Sequence, residues 1–269
     1  MGFYTLTNVG KVRANNEDFA ESLEFTTCTA TGKKIKLTAL ILADGMGGAA
    51  AGEFASMLAV SELKNCIISH LCAQGTNEMF ELDKLALMER YFRSANSKVY
   101  SASCENPDMA GMGTTLVSGI ILENQLYLAH VGDSRAYKYN SAKGLVRLTK
   151  DHSLVQEYVD AGKITDDEAF EHPDNNVITK AIGIMPEVEC DKQTIQLAED
   201  DLLMFCSDGL SSLAKDVLIA DIIKSKYATE NGTNLPELAN SLIDLANLYG
   251  GTDNVTVCLY QHRSLLTDK

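Results

Sequence analysis

Hydrophobic positions along the chain fall into two kinds of run. Short apolar stretches of strand length lie near residues 19–26, 35–43, 115–122, 125–131, 135–139, 193–197, 202–206 and 254–260. Several are apolar at odd and even positions alike, as strands covered on both faces must be. Longer stretches at 52–73, 81–104 and 235–248 repeat apolar residues every three or four positions, which places them along one face of a helix. The order is therefore strands, two long helices, more strands, then mixed elements closing with a helix and a strand. Long helices kept apart from successive strands predict an α+β fold with antiparallel pairing rather than a doubly wound parallel sheet. One stretch breaks the pattern: 150–185 is polar and short-pitched, with Gly162, Pro173 and a helix-start signal at 165-TDDE-168. It reads as an insertion over a site.

Composition narrows the picture. The 269 residues suffice for one large domain or two small ones, and without an internal repeat or low-complexity block a single domain is expected. Hydrophobic residues at 45% and charged residues at 22% are those of a folded globular chain rather than a disordered one. The formal net charge of -14 repels polyanions, which excludes nucleic acid and anionic membrane surfaces as expected partners. Seven cysteines, Cys28, Cys66, Cys72, Cys104, Cys190, Cys206 and Cys258, form no C-x-x-C pair and are odd in number. Neither a disulfide framework nor a thiolate zinc site is indicated, and a reducing cytoplasm fits. The start of the chain lacks a signal-peptide layout, and no apolar run approaches the roughly 18 residues of a membrane span. Leu6 stands where a myristoylation signal wants Ser or Thr. A cytoplasmic, unanchored protein is the expectation.

The acidic residues matter for where they fall. Asp44 follows the buried run 37-LTALILA-43, and Asp208 comes just after 202-LLMFC-206. Asp253 precedes 254-NVTVCLY-260 and Asp18 precedes 19-FAESLEF-25. If the second pair of strands runs antiparallel to the first, all four carboxylates gather along one edge of the sheets. Glu17, and Asp133 in 132-GDSR-135, can join them. So many carboxylates cannot all stay ionised in a partly dry cleft without a cation. The five histidines, His70, His130, His152, His172 and His262, show no ligand-like spacing, so an all-oxygen site for Mg²⁺ or Mn²⁺ is expected. Gly45 lacks the side chain that would keep its carbonyl from a cation. Two such ions would activate a bridging hydroxide for in-line attack on phosphorus, and Arg13, four residues before Glu17, can offer a bidentate guanidinium to a phosphoryl group. Taken singly, each feature is an ordinary turn former, cap or surface ion pair; their joint placement at strand ends is what points to a site. His152 and His172 flank the insertion as candidate proton donors or as structural histidines.

Eight stretches in order, 10-GKVRANNED-18, 43-ADGMGG-48, 112-MGTTL-116, 130-HVGDSRAY-137, 148-LTKDHSLV-155, 177-VITKAIG-183, 206-CSDGL-210 and 251-GTDNVTV-257, resemble the PP2C-type (PPM) metal-dependent protein serine/threonine phosphatases in their compact bacterial form. The resemblance spans about residues 5–260. It implies a four-layer αββα sandwich, two antiparallel sheets flanked by pairs of helices, as a single domain over 1–262. A flap insertion at about 150–176 and a short tail at 263–269 complete that layout. By the same resemblance Asp44, Asp208 and Asp253 hold one metal, and Asp44, the Gly45 carbonyl and Glu17 a second. Asp133 and Asp208 hold a weaker third, Asp18 orients ligands or waters, and Arg13 binds phosphate. It implies hydrolysis of phosphoserine and phosphothreonine in proteins by a monomer opposing a bacterial eukaryotic-type Ser/Thr kinase and its substrates. Animal members often carry histidine, proposed as a general acid, immediately after the Asp-Gly; here Met46 stands there, so leaving-group protonation falls to another group. Two rival readings remain open at this stage: a pseudophosphatase that only binds phosphoproteins, and a narrower enzyme acting on phosphorylated anti-sigma-factor antagonists or on a metabolic enzyme.

Overall fold

The computed structural model describes residues 2–28, 34–81, 83–229 and 232–263; all of the expected tail at 263–269 except Arg263 lies outside them. One antiparallel sheet contains, in spatial order, β1 (Phe3–Asn8), β11 (Val255–Gln261), β10 (Leu202–Cys206), β7 (Arg135–Asn140) and β8 (Gly144–Arg147). The other contains β2 (Asp18–Cys28), β3 (Lys34–Met46), β5 (Leu116–Leu122), β6 (Gln125–Val131) and β9 (Asp191–Gln196), with the two-residue β4 (Gly113–Thr114) paired to the end of β3.

Helices α1 (Ala49–Glu81) and α2 (Lys84–Glu105) cover the outer face of the second sheet. On the first sheet lie α5 (Asp208–Ser211), α6 (Asp216–Lys226) and α7 (Leu235–Leu248). The β3 segment shows why its sequence reads as an unbroken apolar run. Leu40 and Leu42 point between the sheets, against Phe205 and Cys258, whereas Ala39, Ile41 and Ala43 face α1 and α2. Both faces of the strand are dry, and the four layers follow.

The structure departs from the sequence pattern at the weakly patterned elements. Strand β1 has no fully buried position, so its apolar signal is too faint to mark it, yet it pairs along its whole length with β11. Helix α1 starts three residues before and ends well beyond the expected 52–73. Between β8 and β9 lie the short helices α3 (Leu154–Asp160) and α4 (Asp166–Phe170). The latter begins at 165-TDDE-168: the Thr165 side chain accepts from the Glu168 amide while the Glu168 carboxylate accepts from the Thr165 amide, satisfying two otherwise orphaned donors.

Candidate active site

The antiparallel pairing of β2 with β3 makes Asp18 and Asp44 direct cross-strand partners. Cys206 at the end of β10 lies opposite Val257 near the start of β11, which brings Asp208 and Asp253 to the same end of the other sheet. A bond between the sheets closes the gap, and bonds within each sheet brace it. Ser207 Oγ donates to Asp18 Oδ2 at 2.7 Å, and the Thr256 amide donates to Ser207 Oγ at 3.0 Å. The Asp44 amide donates to Thr115 Oγ1 at 2.9 Å, while the Asp44 carbonyl accepts from the Thr115 amide and the Thr114 hydroxyl, both at 2.8 Å. Thr115 Oγ1 lies 2.7 Å from Ser134 Oγ, next to Asp133. Asn254 pins the loop that carries Arg13 and Glu17: its Oδ1 accepts from the Glu17 amide at 2.8 Å, and its Nδ2 donates to the carbonyls of Val9 and Asn15 at 3.0 and 2.9 Å.

Gly45 and Gly52 allow β3 and α1 to close around Glu17. A Cβ at Gly45 would sit 2.0 Å from the Gly52 carbonyl oxygen, and one at Gly52 would sit 2.1 Å from Glu17 Oε2. Only two bare backbones can pass this closely.

The electrostatics are those of crowded acids. Burial, then repulsion from Asp208 and Asp253, raises the Asp18 carboxyl to about 7 against the pull of Thr256 and Ser207. Burial raises Asp44 well above the usual carboxylate range, reinforced by Asp18, Asp208 and Asp133, and raises Asp133 likewise with Asp208 and Asp151 against it. Asp208 is raised by burial and by Asp253, against an opposing pull from the neighbouring Asp44 carboxyl. Glu17 is raised by burial, partly offset by Arg13. A cation would relieve all of these at once.

Two further observations fit the same group. Asp18 Oδ1 is buried with no hydrogen-bond partner, and every donor is a carboxylate or carbonyl oxygen, the chemistry hard divalent cations take. Arg13 completes the rim: its Nη2 meets Asp253 Oδ2 at 2.6 Å, with the guanidinium half exposed and within reach of the charges of Glu17 and Asp208.

Beside Asp133 and Asp208 opens a cavity of about 530 Å³, walled by α3, α4 and the start of α6. Its cations are paired already. Arg135 grips Asp151 through Nε at 3.0 Å and Nη2 at 2.7 Å, and Lys215 meets Asp167 at 2.8 Å while lying over the Phe170 ring.

The structure thus brings together Glu17, Asp18, Asp44, Asp133, Asp208, Asp253 and Arg13. Sequence reasoning gave no role to Asn254, Ser207 or Thr115, all buried polar residues; each lies inside a motif stretch, which was the only signal available. It also missed a histidine pairing. His130 and His152 stack at 4.9 Å with rings 5° apart, and with Asp191 their donor atoms fall within 4.8 Å of one another. Spacing along the chain conceals this, because antiparallel pairing and a loop bring them into contact.

The profile of the family described as Protein phosphatase 2C matches residues 16–243. The chain belongs to the protein phosphatase 2C family. This PP2C phosphatase is 35% identical over 255 residues to the serine/threonine phosphatase stp of Listeria monocytogenes, an alignment covering 95% of this chain and 93% of that one. The crystal structure of the Mycobacterium tuberculosis serine/threonine phosphatase PstP/Ppp superposes with a TM-score of 0.80 at 35% identity, over 97% of this chain and 98% of that one. The catalytic domain of the phosphatase PstP in complex with two manganese ions gives 0.77 at 34% identity, over 96% of each. The PP2C protein is accordingly a serine/threonine phosphoprotein phosphatase, and its four-layer architecture is that of its relatives. None of the described helices is long and apolar enough to cross a membrane.

Proposed function

We propose that this PP2C phosphatase hydrolyses phosphoserine and phosphothreonine in proteins only when loaded with Mn²⁺ or Mg²⁺, two core ions and a weaker third, and that it opposes a Ser/Thr kinase as a cytoplasmic monomer. The observation that carries the metal dependence is the buried ring of mutually repelling acids in which Asp18 Oδ1 has no partner. The manganese held by the PstP relative supports it.

In this reading Asp44, Asp208 and Asp253 hold one ion, Asp44, Glu17 and the Gly45 carbonyl the second, and Asp133 with Asp208 the third. When bound, such ions would lower the pKa of a coordinated water and offset the charge that builds on the phosphoryl oxygens. Asp18, fixed by the Ser207 hydroxyl, orients the ligands around it. Arg13 swings from Asp253 to the incoming phosphoryl group, where its fork matches two oxygens. The region of 150–176 acts as a flap within a single catalytic domain, since α3 and α4 wall the cavity that adjoins Asp133 and Asp208.

Turnover of a phosphothreonine peptide and of an aryl phosphate, with Mn²⁺ and then with chelator, tests the reading. Activity should require the ion, and Asp208→Asn, which touches two of the proposed ions, should nearly abolish it. Full activity of that variant would refute the ligand assignment, and a parent that binds phosphopeptide without turning it over would be a pseudophosphatase.

A further inference from the structure

Gly132 joins the end of β6 to Asp133, and it offers nothing by which a neighbour could hold it except its backbone. Its φ is +100°, and a Cβ there would lie 2.7 Å from the Thr115 side chain. Both backbone groups are nevertheless held, and by the same residue. The Gly132 amide donates to His152 Nδ1 at 3.1 Å, and the His152 amide donates to the Gly132 carbonyl at 3.0 Å.

The histidine is itself braced. Its ring stacks on His130, whose Nε2 donates to the Lys150 carbonyl at 2.8 Å, and its carbonyl accepts from the Thr179 amide at 2.8 Å. Burial and the neighbouring histidine hold His152 toward its neutral form, in which Nδ1 has a lone pair to receive the amide.

With Nδ1 accepting, the ring proton of neutral His152 sits on Nε2, which lies 3.3 Å from Asp191 Oδ1 without the alignment of a hydrogen bond. A metal between His130, His152 and Asp191 would need the Nε2 lone pair and a proton on Nδ1, and that proton would face the Gly132 amide donor-to-donor.

We propose that His152 is a positioning residue for Asp133: its ring and its own amide clamp Gly132 from two sides and so fix the carboxylate that, in the reading above, holds the third cation. The clamp also reaches the core of the site, because Gly132 packs on Thr115 and Thr115 bonds the Asp44 amide. Partners of this kind around metal ligands typically change metal affinity 10- to 100-fold when removed.

The test is a calorimetric titration of Mn²⁺ into parent, His152→Phe, His152→Asn and Asp133→Asn proteins, each checked for folding by thermal melting. His152→Phe keeps a flat ring but loses the acceptor, and should weaken the weakest Mn²⁺ site about 10- to 100-fold while leaving the two tighter equivalents in place. His152→Asn restores an acceptor near the Nδ1 position and should bind within about threefold of the parent. Should the phenylalanine variant fold poorly, His152→Ala, which retains the backbone bond to Gly132, must show the same loss. Parent-like binding by His152→Phe or His152→Ala, with the weak site lost in Asp133→Asn, would overturn the clamp and leave the ligand assignment standing. Three undisturbed equivalents in Asp133→Asn would overturn the ligand assignment and the inference together, and an asparagine variant as impaired as the phenylalanine one would overturn the role of the acceptor.

Discussion

Arg13 is drawn in two directions: its guanidinium lies on Asp253 at 2.6 Å, and its proposed duty is to a phosphoryl group. The pair is a third to half exposed, so solvent screens it and its rupture costs little. Arg13→Ala should therefore leave Mn²⁺ stoichiometry intact and raise KM for a phosphopeptide about 10- to 150-fold, the equivalent of roughly 1.5–3 kcal/mol for a charge-assisted contact. Arg13→Lys should recover little, because a point charge cannot reproduce the fork; steady-state kinetics of the two variants check both. The charged residues of the candidate site were legible in the sequence only through their joint placement at the ends of buried strands, since one such carboxylate alone reads as a turn former or cap. Asn254, Ser207 and Thr115 were not, since an uncharged polar residue in a turn looks the same whether it is solvated or, as Asn254 does, ties three backbone groups of a distant loop.

Among the elements, the passage from β3 into α1 is the most constrained. A Cβ at Gly45 meets the backbone oxygen of Gly52, which cannot yield without shifting the helix, whereas a Cβ at Gly52 meets chiefly the carboxylate end of Glu17, which can swing aside. Gly45→Ala should thus lower unfolding stability by about 1–3 kcal/mol, the usual cost of overpacking. Gly52→Ala should cost less stability and instead weaken Mn²⁺ binding by displacing Glu17. Urea denaturation and a metal titration on each variant separate the two outcomes. The sequence made β3, β5 and β10 plain, because strands dry on both faces are unbroken apolar runs. It hid β1, in which no residue is fully buried, and blurred the ends of α1 and α2, where helices run past their apolar faces into polar turns.

For the molecule as a whole, the acids put stability and activity in opposition. The folded Asp18 carboxyl sits at about 7 against 3.8 when free; its favourable contribution is complete below about 4 and lost as the pH rises through about 7. Asp44 and Asp133, raised for the same reason, add losses of the same sign. Buried His130 and His262 and the partly buried His152, all lowered, act oppositely as the pH falls below 6.5, but a comparison of loaded with metal-free protein cancels them. The rise in Tm on saturation with Mn²⁺ should therefore grow between pH 6 and 8, as fewer protons must be displaced. At pH 8 the metal-free Asp44→Asn protein should melt above its parent, by roughly 2–4 °C for each kcal/mol relieved, while losing turnover. A calorimetric melt across that pH range reads both. The seating of β11 between β1 and β10 has a consequence for biogenesis. The opening strand of the chain must wait, edge bare, for a neighbour synthesised some 250 residues later, and the same late segment delivers Asp253 and Asn254. In the proposed reading, in which Asp253 holds an ion, a ribosome that stalls before it releases a polypeptide without that ligand, so unfinished copies of this phosphatase are silent by construction.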